Sequence, residues 1–307
     1  MTLRTELPSE TDVRAAAALI RPHARRTPLL EAVVDGRVVV IKMEHLQRSG
    51  SFKLRGALTA LGPGPLPEHV VTASGGNHGL AVATAAAILG VRATVVVPVG
   101  APAGKARRIE AAGARLVRHG ARYADAAEAA VALAAASGHR YLPAYDDPAV
   151  VAGQGTLAAE IVVDDPDVDA IVVGVGGGGL AAGTALGGGG RLTVAVEPAG
   201  SCSFAAALAA GRPVDAPVDS VAADALGASR VGDVPFAVLA GRAVASVLVD
   251  DAEILAARAR LWEECRIATE PAAAAAFAAW LAGRVPGRRA CVVVSGANTD
   301  WTPDPHR

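Results

Sequence analysis

Apolar positions along the chain fall into two kinds of run. Short stretches rich in β-branched residues, at 38–43, 70–72, 93–97, 115–117, 170–173, 193–196, 245–249 and 291–294, predict strands. Between them lie Ala-rich stretches, around 79–89, 104–112, 123–136, 151–163, 252–265 and 271–281, that predict helices. Strands without polar alternation belong in sheets covered on both faces. Their alternation with helices predicts an α/β fold with open, twisted, parallel sheets. Two turn-rich breaks, Gly62-Pro63-Gly64-Pro65 and Tyr145-Asp146-Asp147-Pro148, interrupt the pattern. The β-α-β-α-β-α block between them reads as a small domain over residues 68–145, inserted into a larger, discontinuous one formed by 1–67 and 146–307.

Composition narrows the partners. A formal charge of -1 without basic or acidic blocks, and 3% aromatic residues, argue against nucleic acid or an anionic membrane surface. The Ala-rich stretches are too short to cross a bilayer. Residues 1–10 are polar and acidic, without the apolar core of a secretion signal, so a cytoplasmic protein is expected. Cys202, Cys265 and Cys291 show no CxxC spacing, so neither a disulfide framework nor a zinc site is expected.

Four segments carry candidate chemistry. The chain has only three lysines, Lys42, Lys53 and Lys105, and arginine supplies nearly all its positive charge. Solubility therefore does not explain Lys53 in the run Ser51-Phe52-Lys53-Leu54-Arg55-Gly56-Ala57. An amine can lose its proton and attack a carbonyl to form a Schiff base, which a guanidinium cannot. Next, Ser74-Gly75-Gly76-Asn77-His78-Gly79 follows a strand and opens a helix, where bare amides favour a carboxylate or phosphate. Taken alone, this segment suits an Asn-capped turn equally well. Third, Gly176, Gly177, Gly178 and Gly179, followed by Leu180, offer amides able to wrap a phosphate. No G-x-G-x-x-G opens the first βα unit and no Walker lysine is present, which removes a P-loop and weakens a dinucleotide reading. Last, Ser295-Gly296-Ala297-Asn298 follows the final strand, where α/β proteins bind ligands, although a plain loop fits the same residues.

Together these segments resemble the serine/threonine dehydratase family of pyridoxal-phosphate (PLP) enzymes, with the fold type II architecture of tryptophan synthase β chains. Leu46-Gln47, the run from Gly50 to Ala57, Asn77-His78-Gly79, Ala152-Gly153-Gln154-Gly155-Thr156 with Glu160-Ile161, the tetraglycine, Val196-Glu197-Pro198, Thr269-Glu270-Pro271 and Ser295 to Asn298 occur in the family's order. The resemblance implies that Lys53 binds PLP as a Schiff base beside Phe52, and that Asn77 bonds the ring's phenolic oxygen. It also implies that the four glycines and Leu180 hold the phosphate and that Ser295 meets the pyridine nitrogen. Ser74, Gly75, Gly76, Asn77 and His78 would bind the substrate carboxylate. Lys53, released by the incoming amino acid, would take the α-proton, and loss of the β-hydroxyl would lead to a 2-oxo acid and ammonia.

Three departures shape the expected activity. Serine racemases carry a second serine where Gly75 stands, so elimination is expected over racemisation. Glu197, Ser201 and Ser203 resemble a monovalent, potassium-like cation site, since divalent forms carry an acidic residue where Ser203 stands; a structural Glu capping a helix suits the same residues. The chain ends soon after Asn298, so the regulatory domain of feedback-controlled threonine dehydratases is not expected. The expected protein is a homodimeric L-threonine/L-serine ammonia-lyase acting on a small amino acid. Alternatives are a β-eliminase for a hydroxyaspartate or aryl-serine, a serine racemase, a β-replacement synthase, and a catalytically silent PLP-binding protein.

Overall fold

The computed structural model describes residues 6–62 and 64–302. In chain order its elements are α1 (Glu10–Ile20), β1 (Leu29–Val34), β2 (Arg37–Lys42), α2 (Lys53–Leu61), β3 (His69–Ala73), α3 (Asn77–Leu89), β4 (Arg92–Val97), α4 (Ala103–Ala111), β5 (Arg115–Arg118), α5 (Tyr123–Ser137), β6 (Arg140–Tyr141), α6 (Pro148–Asp164), β7 (Ala170–Gly174) and α7 (Gly179–Gly187). They continue with β8 (Leu192–Pro198), α8 (Ser203–Ala210), α9 (Ala223–Leu226), α10 (Asp233–Ala240), β9 (Val244–Val249), α11 (Asp251–Cys265), α12 (Pro271–Leu281) and β10 (Ala290–Val293). One sheet runs β1-β2-β10-β7-β8-β9 and the other β5-β4-β3-β6. No described helix is long and apolar enough to cross a membrane.

Every strand predicted from the apolar runs is present. The parallel expectation needs one correction: β1 pairs antiparallel with β2. The cause is local. Asp35 and Gly36 both have positive φ, 50° and 71°, the turn whose twist suits a two-residue hairpin. The helix α1 lies outside the predicted elements; it starts on a reciprocal cap between Ser9 and Asp12. The helix α2 begins at Lys53 and buries Leu54, Leu58 and Leu61 in the apolar cluster that includes Val70, Val95 and Val97 of the four-stranded sheet. Each such leucine contributes roughly 1.5–3 kcal/mol when fully buried.

Close backbone approach fixes where α2 can lie. A Cβ on Gly153 of α6 would come within 2.7 Å of the Arg55 carbonyl oxygen, and one on Gly56 within 2.9 Å of the Val150 carbonyl oxygen. Glycine at both positions therefore lets α2 and α6 touch. Beside that contact lies a buried ionic cluster. Arg55 donates to Glu44 through Nε and Nη2, both at 2.8 Å, and to Glu160 through Nη1 and Nη2 at 2.8 and 2.9 Å. Lys42 Nζ donates to Glu160 at 2.6 Å. The two cations and two carboxylates neutralise one another around the helix that carries Lys53.

Candidate active site

The lysine segment and the last strand's loop are knitted together. Phe52 N–H donates to the Ser295 carbonyl at 3.0 Å, Ala297 N–H donates to the Gly50 carbonyl at 2.9 Å, and Ser51 forms an antiparallel bridge with Gly296. Asn298 Nδ2 adds a bond to the Ser49 carbonyl at 2.9 Å. Gly50 has φ +72°, and a Cβ there would fall 2.4 Å from Asn298 Oδ1. These pairings place Ser295, itself buried, beside the start of α2.

Asn77 is the first residue of α3, with Gly76 at the N-cap and no side-chain cap. Its amide turns away from its own helix. Nδ2 donates to Glu270 Oε1 at 2.6 Å, and Oδ1 accepts from Asn298 Nδ2 at 2.7 Å. Ser74 Oγ accepts from Gly76 N–H at 3.2 Å, which braces the loop before the helix. A cleft opens here, lined by Gly75, Gly76, Asn77, Glu270 and Asn298, with apolar walls at Leu80 and Val221. Two ion pairs lie along it: Lys105 with Asp224 at 2.7 Å, and Arg108 with Asp300.

The four glycines run from the end of β7 into α7, whose N-terminus has no side-chain cap. Steric reasons require glycine there. Gly178 has φ +91°; a Cβ on Gly177 would overlap the Tyr145 ring at 2.3 Å, and one on Gly176 would lie 3.1 Å from Leu226 Cα. Tyr145 thus packs on the loop, and α9 closes it from the other side. Leu180 is buried behind it.

Lys53 is half-buried and its Nζ donates to the Ala144 carbonyl at 2.7 Å, next to Tyr145 in sequence. The Phe52 ring centroid is 5.2 Å from the same nitrogen. Among the described residues no carboxylate pairs with Lys53, so burial dominates and lowers its pKa to about 8. His78 is buried beside it; burial, then the Lys53 charge, lower its pKa to about 3. A neutral imidazole follows, with Nε2 donating to the Leu142 carbonyl at 3.2 Å. These features fit PLP: a desolvated amine for its aldehyde, an uncapped helix start for its phosphate, and a buried hydroxyl at Ser295.

The third expected site, read as a cation site or a helix cap, makes the following contacts. Glu197 Oε1 and Oε2 accept from the amides of Phe204 and Ala205, at 2.8 and 2.9 Å, at the start of α8. Ser201 Oγ donates to the Leu226 carbonyl and Ser203 Oγ to the Gly176 carbonyl. These contacts cap the start of α8, and burial pushes the Glu197 pKa up to about 7. Among the described residues no cluster of three or more His, Cys, Asp or Glu is arranged for a metal ion. Ser203 ties α8 to the glycine loop.

Sequence reasoning assigns no role to Glu270, Tyr145 or the pair Lys105 and Arg108. Glu270 is visible there only as part of Thr269-Glu270-Pro271. Tyr145 carries a faint signal, as one of three tyrosines in the chain.

The family model for pyridoxal-phosphate-dependent enzymes matches residues 20–296. The biosynthetic L-threonine dehydratase of Escherichia coli is 36% identical over 280 residues, covering 86% of this chain and 54% of that protein. The chain thus spans about half the length of the first curated relatives it matches. An L-threonine ammonia-lyase from Thermotoga maritima is 34% identical, covering 94% of this chain and 75% of its own. Among solved structures, maize serine racemase superposes with a TM-score of 0.91 at 29% identity, covering 96% of this chain and 95% of that one. A threonine deaminase from T.th. gives 0.90 at 34%, covering 96% of this chain and 100% of its own. The fold is thereby that of fold type II PLP enzymes, and the chain belongs to the family of pyridoxal-phosphate-dependent enzymes.

Proposed function

We propose that this protein is a PLP-dependent ammonia-lyase that eliminates water from L-threonine or L-serine, giving a 2-oxo acid and ammonia. The observation that carries this reading is the Lys53 amine: desolvated, unpaired with any carboxylate among the described residues, and held against the Ala144 carbonyl beside the glycine loop. Lys53, the tetraglycine with Leu180, Asn77, Ser295 and Phe52 would hold the cofactor. When bound, PLP supplies an electron sink that acidifies the substrate Cα–H. Lys53 Nζ, with its pKa near 8, is suited to take that proton. The loop from Ser74 to His78 offers uncapped amides at the start of α3 for the substrate carboxylate.

Two features favour threonine or serine over the alternatives. In the cleft beside Asn77, Lys105 and Arg108 are each already paired with a carboxylate, so the second carboxylate of a hydroxyaspartate would have to compete with Asp224 or Asp300 for them. At Gly75 there is no side chain to deliver a proton from the opposite face, which favours elimination over racemisation. The small lobe at 68–145, suggested by the alternating strands and helices between the two turn-rich breaks, belongs to the same reading, as do a homodimeric state and a cytoplasmic location.

Purified protein with PLP, supplied in turn with L-threonine, L-serine and a hydroxyaspartate, tests the reading through release of 2-oxo acid and ammonia. Release from threonine or serine supports it, together with a borohydride-stabilised adduct on Lys53. Release from hydroxyaspartate alone, or an adduct on Lys42 or Lys105, overturns it.

A further inference from the structure

The four residues Glu270, Asn77, Asn298 and Ser49 form a chain of hydrogen bonds joining four separate segments. Glu270 Oε1 accepts from Asn77 Nδ2 at 2.6 Å, and Asn77 Oδ1 accepts from Asn298 Nδ2 at 2.7 Å. Asn298 Nδ2 spends its other hydrogen on the Ser49 carbonyl at 2.9 Å. An amide has two faces that differ only in which end donates. Here the two ends are sorted by their neighbours: a carboxylate can only accept and the Asn298 NH2 can only donate. The oxygen of Asn77 is thus turned to Asn298 and its nitrogen to Glu270. One Nδ2 hydrogen is used, which leaves the second as a donor of fixed direction.

Capping its own helix does not explain Glu270, whose carboxylate faces the backbone amide of Asn298 as well as the Asn77 side chain. It occupies the N-cap position of α12, where a side chain commonly folds back onto the helix amides, yet it makes no such bond. Its carboxylate instead reaches across to α3 and lines the cleft. Gly296 supports the same arrangement, because a Cβ there would fall 2.6 Å from Glu270 Oε1 and 3.2 Å from Asn77 Nδ2.

We propose that Glu270 is a positioning residue that fixes the Asn77 amide so that it presents an N–H, not a carbonyl, to the bound cofactor. The inference rests on the reading of Asn77 as a cofactor ligand. It adds that the donor is preset before binding by Glu270 and Asn298. Burial raises the pKa of Glu270, and the Asn77 hydrogen bond, the Lys105 charge and the Asn298 backbone amide oppose the shift.

The test measures the PLP dissociation constant of apoprotein variants by equilibrium binding and the absorption maximum of the bound cofactor. Glu270→Ala is expected to weaken binding about three- to tenfold, the scale of one lost hydrogen bond, and to shift the absorption maximum. Glu270→Gln retains an acceptor oxygen and is expected to stay within about twofold of the parent. In an Asn77→Ala background, Glu270→Ala should add no further loss, because its effect runs through Asn77. Asn298→Ala, which frees the other end of the amide, should reproduce the weakening and serves if Glu270→Ala does not fold. Unchanged binding in both Glu270→Ala and Asn298→Ala overturns the inference, as does an equal Glu270→Ala penalty with and without Asn77. Should Asn77→Ala alone leave binding unchanged, the reading of Asn77 falls and this inference with it. Weakening by Asn77→Ala without weakening by Glu270→Ala or Asn298→Ala sinks the inference alone.

Discussion

Replacing Lys53 by methionine should stabilise the cofactor-free protein at neutral pH. Burial lowers the Lys53 pKa to about 8, against about 10.4 for a free lysine. Folding thus favours the neutral amine, and below pH 8 the folded chain must bury a charge that the unfolded chain leaves in water. The cost of that charged form is up to about 3 kcal/mol. Between about pH 8 and 10.4 the unfolded chain binds more protons than the folded one, so parent stability rises with pH in that window and levels off above it. Methionine fills a similar volume without a charge. Chemical denaturation of the apoprotein at pH 7 and pH 10 should show Lys53→Met more stable at the lower value, with the gap closing at the higher one. The same pKa leaves about one lysine in ten unprotonated at pH 7, roughly 200-fold more than an ordinary lysine. The rate of PLP capture by parent apoprotein should accordingly bend near pH 8. A parent as stable as the variant at pH 7, or capture that climbs through pH 10 without bending, refutes the desolvation argument.

Three further outcomes are expected. Glu44→Gln removes one carboxylate from the buried cluster and leaves Arg55 undercompensated, which should cost about 3–5 kcal/mol in denaturant titration. Burial pushes the Glu44 pKa up, but Arg55 and Lys42 outweigh it and hold it below the ordinary range; its stabilisation is therefore present above an ordinary carboxylate pKa and lost as pH falls through the folded value, and the variant should show a shallower acid transition. Gly75→Ser should fold normally, because a Cβ there would lie 3.8 Å from Ala101 Cβ and from Val97 Cγ1, and it should raise the share of D-serine relative to pyruvate formed from L-serine; an unchanged ratio would mean that the new hydroxyl does not face the α-carbon. Gly177→Ala forces its methyl into the Tyr145 ring and should weaken PLP retention, with Tyr145→Ala restoring part of it; equal affinity in all three proteins would show that the loop does not bind the phosphate.

The parallel frame is legible in the sequence because buried strands between helices leave a strong local signal. Strands β7 and β10 are apolar throughout and match their predicted runs to within a residue. What escapes has weaker or ambiguous cues. The Asp35-Gly36 turn announces a hairpin, but β1 does not stand out, because the outward-facing Val33 is apolar and the alternation of more buried and exposed positions over residues 30–34 is hidden in the sequence. The helix α2 begins inside the lysine motif, and its three buried leucines look like part of that motif instead of one helical face.

The candidate site divides along the same line. Residues whose proposed roles rest on their own backbone surroundings stand out in the sequence: the glycines before α7, the loop opening α3, and Ser295 after β10. Glu197 stays ambiguous in the sequence because an acidic residue after a strand looks alike whether it binds an ion or caps the helix that follows; the capping contacts to the amides of Phe204 and Ala205 appear only in the fold. Glu270 lies 193 positions from Asn77 along the chain and shares no local pattern with it. Its meaning comes from a donor that arrives through folding, so no reading of spacing could supply it. Chemistry carried by backbone geometry is legible early, whereas the orientation of an amide is fixed only when distant segments meet. That asymmetry explains why the cofactor can be expected from motifs while the group that presets its hydrogen-bond donor cannot.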